Sequence, residues 1–440
     1  MRHPLIRTAL AFVLCAACGG GSSTTGSTTP LDTGGDDGTS GDTAATPTPA
    51  EPPSAEETAR FAEASNAFAT DLWGRIRGTD GNLVVSPASI EIALAMTHAG
   101  ARGETAAEMA EVMHFGDDPD AFHRAAGHAL SRWNDPDRET YRLAVANRLF
   151  GERSYEWREP FLRLTGEVYG APLEPMDFRG APEPARQRIN GWVEDQTNDR
   201  IQDLIPQGGI DGDTRMVLAN AVYFLADWQH QFAASDTHEQ PFHAPGGDVR
   251  VETMHQQARF GYGEADDVQV LQMPYAGGEL GMLVVLPRED DGLAAVEEAL
   301  SAERIAGWAE GLEQQMVNVA LPKFRVEPEA PLALSSTLAE MGMPSAFDPR
   351  TADFSAMADP AANEGLPLFV TDVFHKAFVA VDEEGTEAAA ATAVVVGVES
   401  AAIAPPDVPE FVADHPFLFF IRDLESGAIL FMGRVEDPSA

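Results

Sequence analysis

His238, Glu239 and His243 come nearest to a metal-binding set in this chain of 440 residues. A helical zinc motif needs its histidines one turn apart. Here the spacing is one residue too long, and Pro241 would break the helix. There is no Gly-x-Ser-x-Gly elbow and no phosphate-binding glycine loop, and the other histidines are scattered. The residues argue against an enzyme, a metal or a cofactor. One stretch does stand out, from Glu383 to Ser400. It has four consecutive alanines and then β-branched residues, unlike a loop, which favours Gly, Pro, Asn, Asp and Ser. Strand side chains alternate between faces, so the stretch is read at period two. Thr386, Ala388, Ala390, Thr392, Val394, Val396 and Val398 are all uncharged and grow from small to β-branched. From Thr386 on, the intervening positions carry the two charges, Glu387 and Glu399. No proline interrupts, so every residue can donate to a β-ladder. One face therefore suits a protein interior. Ser400 to Asp414 contains Pro405, Pro406 and Pro409 and reads as an exposed connection. An ordinary buried strand followed by a loop would fit the same composition.

The flanks narrow the choice. His375-Lys376-Ala377, the run Glu383 to Thr392, and Phe411 to Ile421 with Asp414-His415-Pro416-Phe417 resemble, in order and spacing, the C-terminal signature of the serpins. The Asn82 to Ile90 segment is similar to their N-terminal pattern, and the resemblance extends over 55–440. It implies an α+β serpin fold: helices mixed with large, mostly antiparallel sheets, and an exposed reactive loop. Glu383, Gly385, Thr386, Ala388, Ala390 and Thr392 match the loop's hinge. By the same resemblance, Ser86, Ser89, Asn220 and His375 form a polar network beneath the point where the main sheet opens. Trp228 matches an aromatic residue under that sheet's upper end. The chain departs from the family in having Leu225, Ala226 and Asp227 where basic residues are usual, and Ala380 where Glu is common.

The implied function is suicide inhibition of serine, or cysteine, proteases. Family spacing counted from Gly385 puts the reactive bond between Glu399 and Ser400, which implies a Glu-specific target. Counting back from Pro416 would move the bond towards Pro405. The Val394–Val398 and Ala401–Ala404 runs would suit an elastase-like or subtilisin-like enzyme. The other functional class is a non-inhibitory serpin acting as a surface binding or structural protein. Such relatives carry charged, bulky or proline residues in the hinge, and this hinge has none at its even positions from Thr386 on.

The first residues read as a targeting segment, 1–18. Arg2 and Arg7 precede an apolar run too short to span a bilayer. Ala16-Ala17-Cys18-Gly19 resembles a bacterial lipobox, with Cys18 as the lipidated residue. Residues 19–53 are mostly Gly, Ser, Thr, Pro and Asp, with almost no large apolar residue. They cannot bury enough apolar surface to offset their ordering entropy and read as a flexible tether. The expectation is an exported protein, lipid-anchored to the cell envelope or surface, otherwise secreted. Both cysteines lie in the first segment, so the 54–440 body relies on packing alone. The net charge of −41, with lysine only at 323 and 376, disfavours nucleic acid and anionic polysaccharide as partners. The partners implied are a protease and, through lipid only, a membrane, with the inhibitor itself a monomer.

Periodicity predicts an amphipathic helix over 55–77 and a buried helix opened by Ser86 as cap and Pro87. It predicts strands at 217–224, 249–260, 268–274 and 280–287, a helix at 293–312, and a strand at 317–326. The chain closes with a buried hairpin, 417–421 with 429–432, turning through Gly427.

Overall fold

The structure is a computed structural model, described here for residues 52–386 and 408–440, apart from 266 and 329. The first helix begins where its sequence can satisfy its own end. Ser54 Oγ accepts from the Glu57 amide, and the Glu57 carboxylate accepts from the Ser54 amide. Phe61, Phe68, Leu72 and Ile76 form its buried stripe. The helices are α1 (Ala55–Ile76), α2 (Pro87–His98), α3 (Gly103–Val112), α4 (Pro119–Trp133), α5 (Glu159–Glu167), α6 (Pro182–Gln196), α7 (Leu293–Glu298), α8 (Ala302–Glu310) and α9 (Ser335–Met341). None is long and apolar enough to cross a membrane.

The strands are β1 (Leu83–Val85), β2 (Tyr141–Glu152), β3 (Glu174–Met176), β4 (Met216–Asp227), β5 (His238–Ala244), β6 (Gly247–Glu264), β7 (Val268–Pro274), β8 (Leu280–Pro287), β9 (Glu313–Pro322), β10 (Phe324–Val326), β11 (Leu332–Ala333), β12 (Phe374–Ala377), β13 (Val379–Val381), β14 (Gly385–Thr386), β15 (Glu410–Val412), β16 (Phe417–Asp423) and β17 (Ile429–Val435). One sheet runs β1-β17-β16-β8-β7-β6-β9-β15, with β5 on β6. The main sheet runs β10-β13-β14-β4-β12-β11, with β2 on β4 and β3 on β2. Most pairings are antiparallel. The parallel ones are β2 with β3, β4 with β12, and β9 with β15.

The β4 strand shows why its sequence is apolar from Met216 to Ala226 apart from Asn220. Val217, Ala219 and Ala221 face a core under α6 with Phe150, Ile189 and Val193. Leu218, Val222 and Phe224 face the larger core, with α2 and the second sheet. Buried on both faces, the strand has no polar side to show. Asn220 shares the parity of Leu218 and Val222 and so points towards α2.

Four expectations need correction. The 293–312 helix is two helices, because Ser301 caps a new start at α8, its Oγ accepting from the Arg304 amide. The 317–326 strand is likewise two, β9 and β10, with the chain crossing from one sheet to the other at Lys323. The Ser400–Asp414 connection is not exposed throughout. Glu410–Val412 adds parallel to β9, and Phe411 is fully buried. Prolines at 405, 406 and 409 hid a strand too short to carry a period. Finally, Ser86 stands at the N-cap of α2, but its side chain does not cap. Its hydroxyl donates instead to the Leu430 carbonyl at 2.6 Å.

Candidate functional site: where the main sheet parts

The β4 strand has different neighbours along its length. Low down, Ala219–Val222 pair directly and in parallel with β12. Higher up, Ala226 and Asp227 pair with Thr386 and Gly385, while Thr386 also pairs with Val381 of β13. The hinge has therefore turned back and lodged Gly385 and Thr386 between β13 and β4. The turn is local: Asp382 Oδ1 accepts from the Glu384 and Gly385 amides, and the Asp382 amide donates to the Gly385 carbonyl.

Gly385 is required by proximity. A Cβ there would overlap the Ala226 carbonyl oxygen and come within 2.8 Å of the Asp227 Cα. Thr386 is fully buried, and its hydroxyl shares a 2.6 Å hydrogen bond with the Tyr275 phenol. Burial pushes that phenol far above its ordinary pKa. Tyr275 stacks on Trp228, with ring centroids 4.5 Å apart and planes 9° from parallel. Trp228 reaches the hinge as well. Its indole N–H donates to the Asp382 carbonyl at 3.0 Å and its amide to the Glu384 carbonyl at 2.8 Å. The Phe232 amide donates to the Glu383 carbonyl at 2.9 Å. The Glu383 carboxylate lies 3.1 Å from Lys323 Nζ, which also faces Glu252 at 3.4 Å. Burial disfavours the ammonium, but the two carboxylates outweigh it and raise its pKa.

Six residues further down β4 lies the polar network. His375 on β12 is opposite Asn220 on β4. The Ser86 amide donates to His375 Nε2 at 3.1 Å, so that nitrogen is bare and Nδ1 carries the proton. Nδ1 then donates to Asn220 Oδ1 at 2.7 Å. Asn220 Nδ2 donates in turn to the Ser89 carbonyl at 2.8 Å, to Ser89 Oγ, and to Asn147 Oδ1 at 2.6 Å. His375 is fully buried, and burial alone holds its pKa down at about 3. The ring is therefore neutral and works as a fixed donor–acceptor across two strands. The structure brings Ser86, Ser89, Asn220 and His375 together, although Ser86 contributes its backbone rather than its hydroxyl.

Asn147, opposite Asn220 on β2, was missed. Its signal was legible: Asn147 is an uncharged polar residue in the run Leu143 to Phe150, which only it and Arg148 interrupt, as Asn220 interrupts its own run. Tyr275 left no such trace. Ala388, Ala390, Thr392, Glu399, Ser400 and Cys18 lie outside the described residues. Among the described residues no three His, Cys, Asp or Glu side chains are grouped to hold a metal.

Comparison with known proteins places this arrangement. The family profile described as Serpin (serine protease inhibitor) matches residues 63–438. The chain is 44% identical over 375 residues to an uncharacterized serpin-like protein of Thermococcus kodakarensis, covering 85% of each. It is 39% identical over 390 residues to human leukocyte elastase inhibitor, covering 86% of this chain and all of that one. Among solved structures, Serpin48 of the insect Tenebrio molitor superposes with a TM-score of 0.75 at 33% identity, covering 86% of this chain and 98% of its own. Uncleaved ovalbumin gives 0.77 at 30% identity, covering 86% and 100%. With the α+β fold, the profile and these identities in agreement, the chain belongs to the serpin family.

Proposed function

We propose that this protein inhibits serine proteases as a suicide substrate, through insertion of its cleaved loop into the main sheet. The observation that carries this reading is the lodging of Gly385 and Thr386 between β13 and β4. The hinge has entered a slot, and the strand that would follow it is uncharged on the face that would be buried. In this reading the protease nucleophile attacks the carbonyl of the scissile bond. At the acyl-enzyme stage the freed strand continues downward from Thr386. Residues 386–398, at about 3.3 Å each, reach roughly 40 Å and carry the protease to the far end of the sheet. The protease's oxyanion hole and triad are drawn out of register, and deacylation stalls.

Insertion must part β12 from β4, and so must break the His375–Asn220 hydrogen bond that spans them. The network then acts as a latch: it resists premature opening and yields once the inserting strand offers ladders on both sides. If about ten new ladder bonds contribute roughly 1 kcal/mol net each, the gain is of order 10 kcal/mol, comparable with a domain's whole stability.

The test of both mechanism and bond is to mix the protein with a panel of proteases. We expect a covalent complex stable to denaturation, and a released C-terminal peptide whose N-terminus is Ser400. That start identifies Glu399 as the residue read by the protease, whose pocket must supply a cation or strong donors. Elastase-like and subtilisin-like enzymes belong in the panel because of the Val394–Val398 and Ala401–Ala404 runs. A peptide beginning at Ala402 or later overturns the Glu399 assignment. Cleavage by every protease with no complex, and no gain in thermal stability afterwards, would return the protein to the non-inhibitory class.

We further propose that the protein is exported, lipidated on Cys18 and held clear of the membrane by the 19–53 tether, as a bacterial lipoprotein. The support is the Arg2 and Arg7 start, the short apolar run, Ala16-Ala17-Cys18-Gly19 and the tether's composition. Cys18→Ser should move the protein from the membrane to the soluble fraction. A wild type that is already soluble, or a variant that stays bound, rejects the anchor.

A further inference from the structure

His238 and His255 meet although nothing in their spacing announces it. β5 and β6 pair antiparallel with His238 opposite Thr253, so His255 is a diagonal neighbour of His238. Their rings stack with centroids 4.3 Å apart and planes 9° from parallel. The Nε2 atoms of both rings lie 3.1 Å from one atom, the side-chain nitrogen of Gln240. An amide nitrogen only donates, so it presents its two hydrogens to two bare imidazole nitrogens. A second observation fixes the His255 tautomer independently. Its Nδ1 lies 3.2 Å from the Asp236 carbonyl and 3.1 Å from the Thr253 carbonyl. Carbonyls only accept, so Nδ1 carries the proton and Nε2 is the free lone pair. One ring nitrogen donating to a backbone carbonyl while the other stays bare is how a protein orients a metal-binding histidine. His238 is exposed and His255 is half-buried, so an ion can reach both.

We propose that His238, His255 and Gln240 form a binding site for a borderline transition-metal ion of the Zn²⁺, Ni²⁺ or Cu²⁺ class. Imidazole nitrogen suits these ions better than Mg²⁺ or Ca²⁺. The ion takes the place of the Gln240 nitrogen. The amide turns over to offer Oε1, and the rings splay from their stack so that both lone pairs meet the ion at about 2.0–2.1 Å. Water completes the shell, which makes the site exchangeable. Its occupancy cross-links β5 to β6. It also fastens the end of the stretch from Trp228 to Asp236, whose start holds the hinge turn. The site goes beyond the inhibitory reading and does not depend on it.

The experiment is titration of the full chain with Zn²⁺ by calorimetry, with thermal melts in Zn²⁺ and in chelator. The chain has 11 histidines, so the decisive quantity is the difference between variants. We expect His238→Ala and His255→Ala each to weaken one ion's binding by about tenfold or more, because each removes one of two imidazoles. The double variant should lose that ion and its melting shift, while His243→Ala on the same strand leaves both unchanged. His238→Gln and His255→Gln repeat the test with polar side chains of closer size, should an alanine variant fold poorly. The same stoichiometry and affinity in wild type and double variant, or no Zn²⁺ bound by the wild type, overturns the proposal.

Discussion

Thr386→Arg should abolish the covalent protease complex while leaving loop cleavage intact. Thr386 is fully buried between β13 and β4, with its hydroxyl on Tyr275 and the Tyr275–Trp228 stack beneath it. A guanidinium there would replace a hydroxyl whose partner is a buried phenol. Burying an unpaired charge costs about 3–5 kcal/mol in proteins, a factor of a hundred or more. The ratio of stable complex to cleaved, released inhibitor should fall by about two orders of magnitude, because the stalled hinge gives the protease time to deacylate. Glu387→Arg is the control. By the period-two pattern that side chain faces away, so the loss should be small. Denaturing gels of both variants with the same protease decide it, and equal loss in both would remove the alternating register on which the argument stands.

The second large effect concerns stability. Glu91 lies on α2 with both carboxylate oxygens buried. Burial pushes its pKa up to about 8, and the neighbouring Ser65 hydroxyl offsets this only in part. The folded chain therefore holds a proton that the unfolded chain releases near pH 4.5, so stability falls as pH rises from about 4.5 to about 8. At pH 7 the penalty is about 3 kcal/mol. Glu91→Met, similar in volume and without charge, should recover it and raise the melting temperature by several degrees. The gain should vanish near pH 4.5. A gain of the same size at pH 4.5 and pH 8 would mean that packing, not ionisation, is responsible.

His375 acts with the opposite sign. Its folded pKa of about 3 lies below that of a free imidazole, so the unfolded chain binds more protons, and stability is lost as pH falls from about 6.5 to about 3. Between about 4.5 and 6.5 the two slopes offset each other. The wild type should be most stable there and weaken on either side.

Much of this protein was legible in its sequence, for local reasons. The first helix shows its stripe, because that needs only neighbours three or four residues apart. Thr386, the first of the uncharged even positions, is buried as a strand's period of two requires. Asn220 in an apolar run announced that a buried amide must find partners. Composition announced the acidic charge.

What only the tertiary structure decided was which distant groups meet. Ser86 looked like a helix cap, but β17 brought the Leu430 carbonyl within reach of its hydroxyl, and β12 brought His375 to its amide. Glu410–Val412 is too short to carry a period of its own and became a strand because β9 offered an edge. Lys323 reads as one lysine among few, yet the crossing from β9 to β10 sets it against Glu383. Tyr275 and Thr386, and likewise His238 and His255, are joined by strand register rather than by spacing along the chain. Periodicity states which face of a segment is buried. Which residues that face touches depends on long-range pairing, and a single sequence carries no period for that.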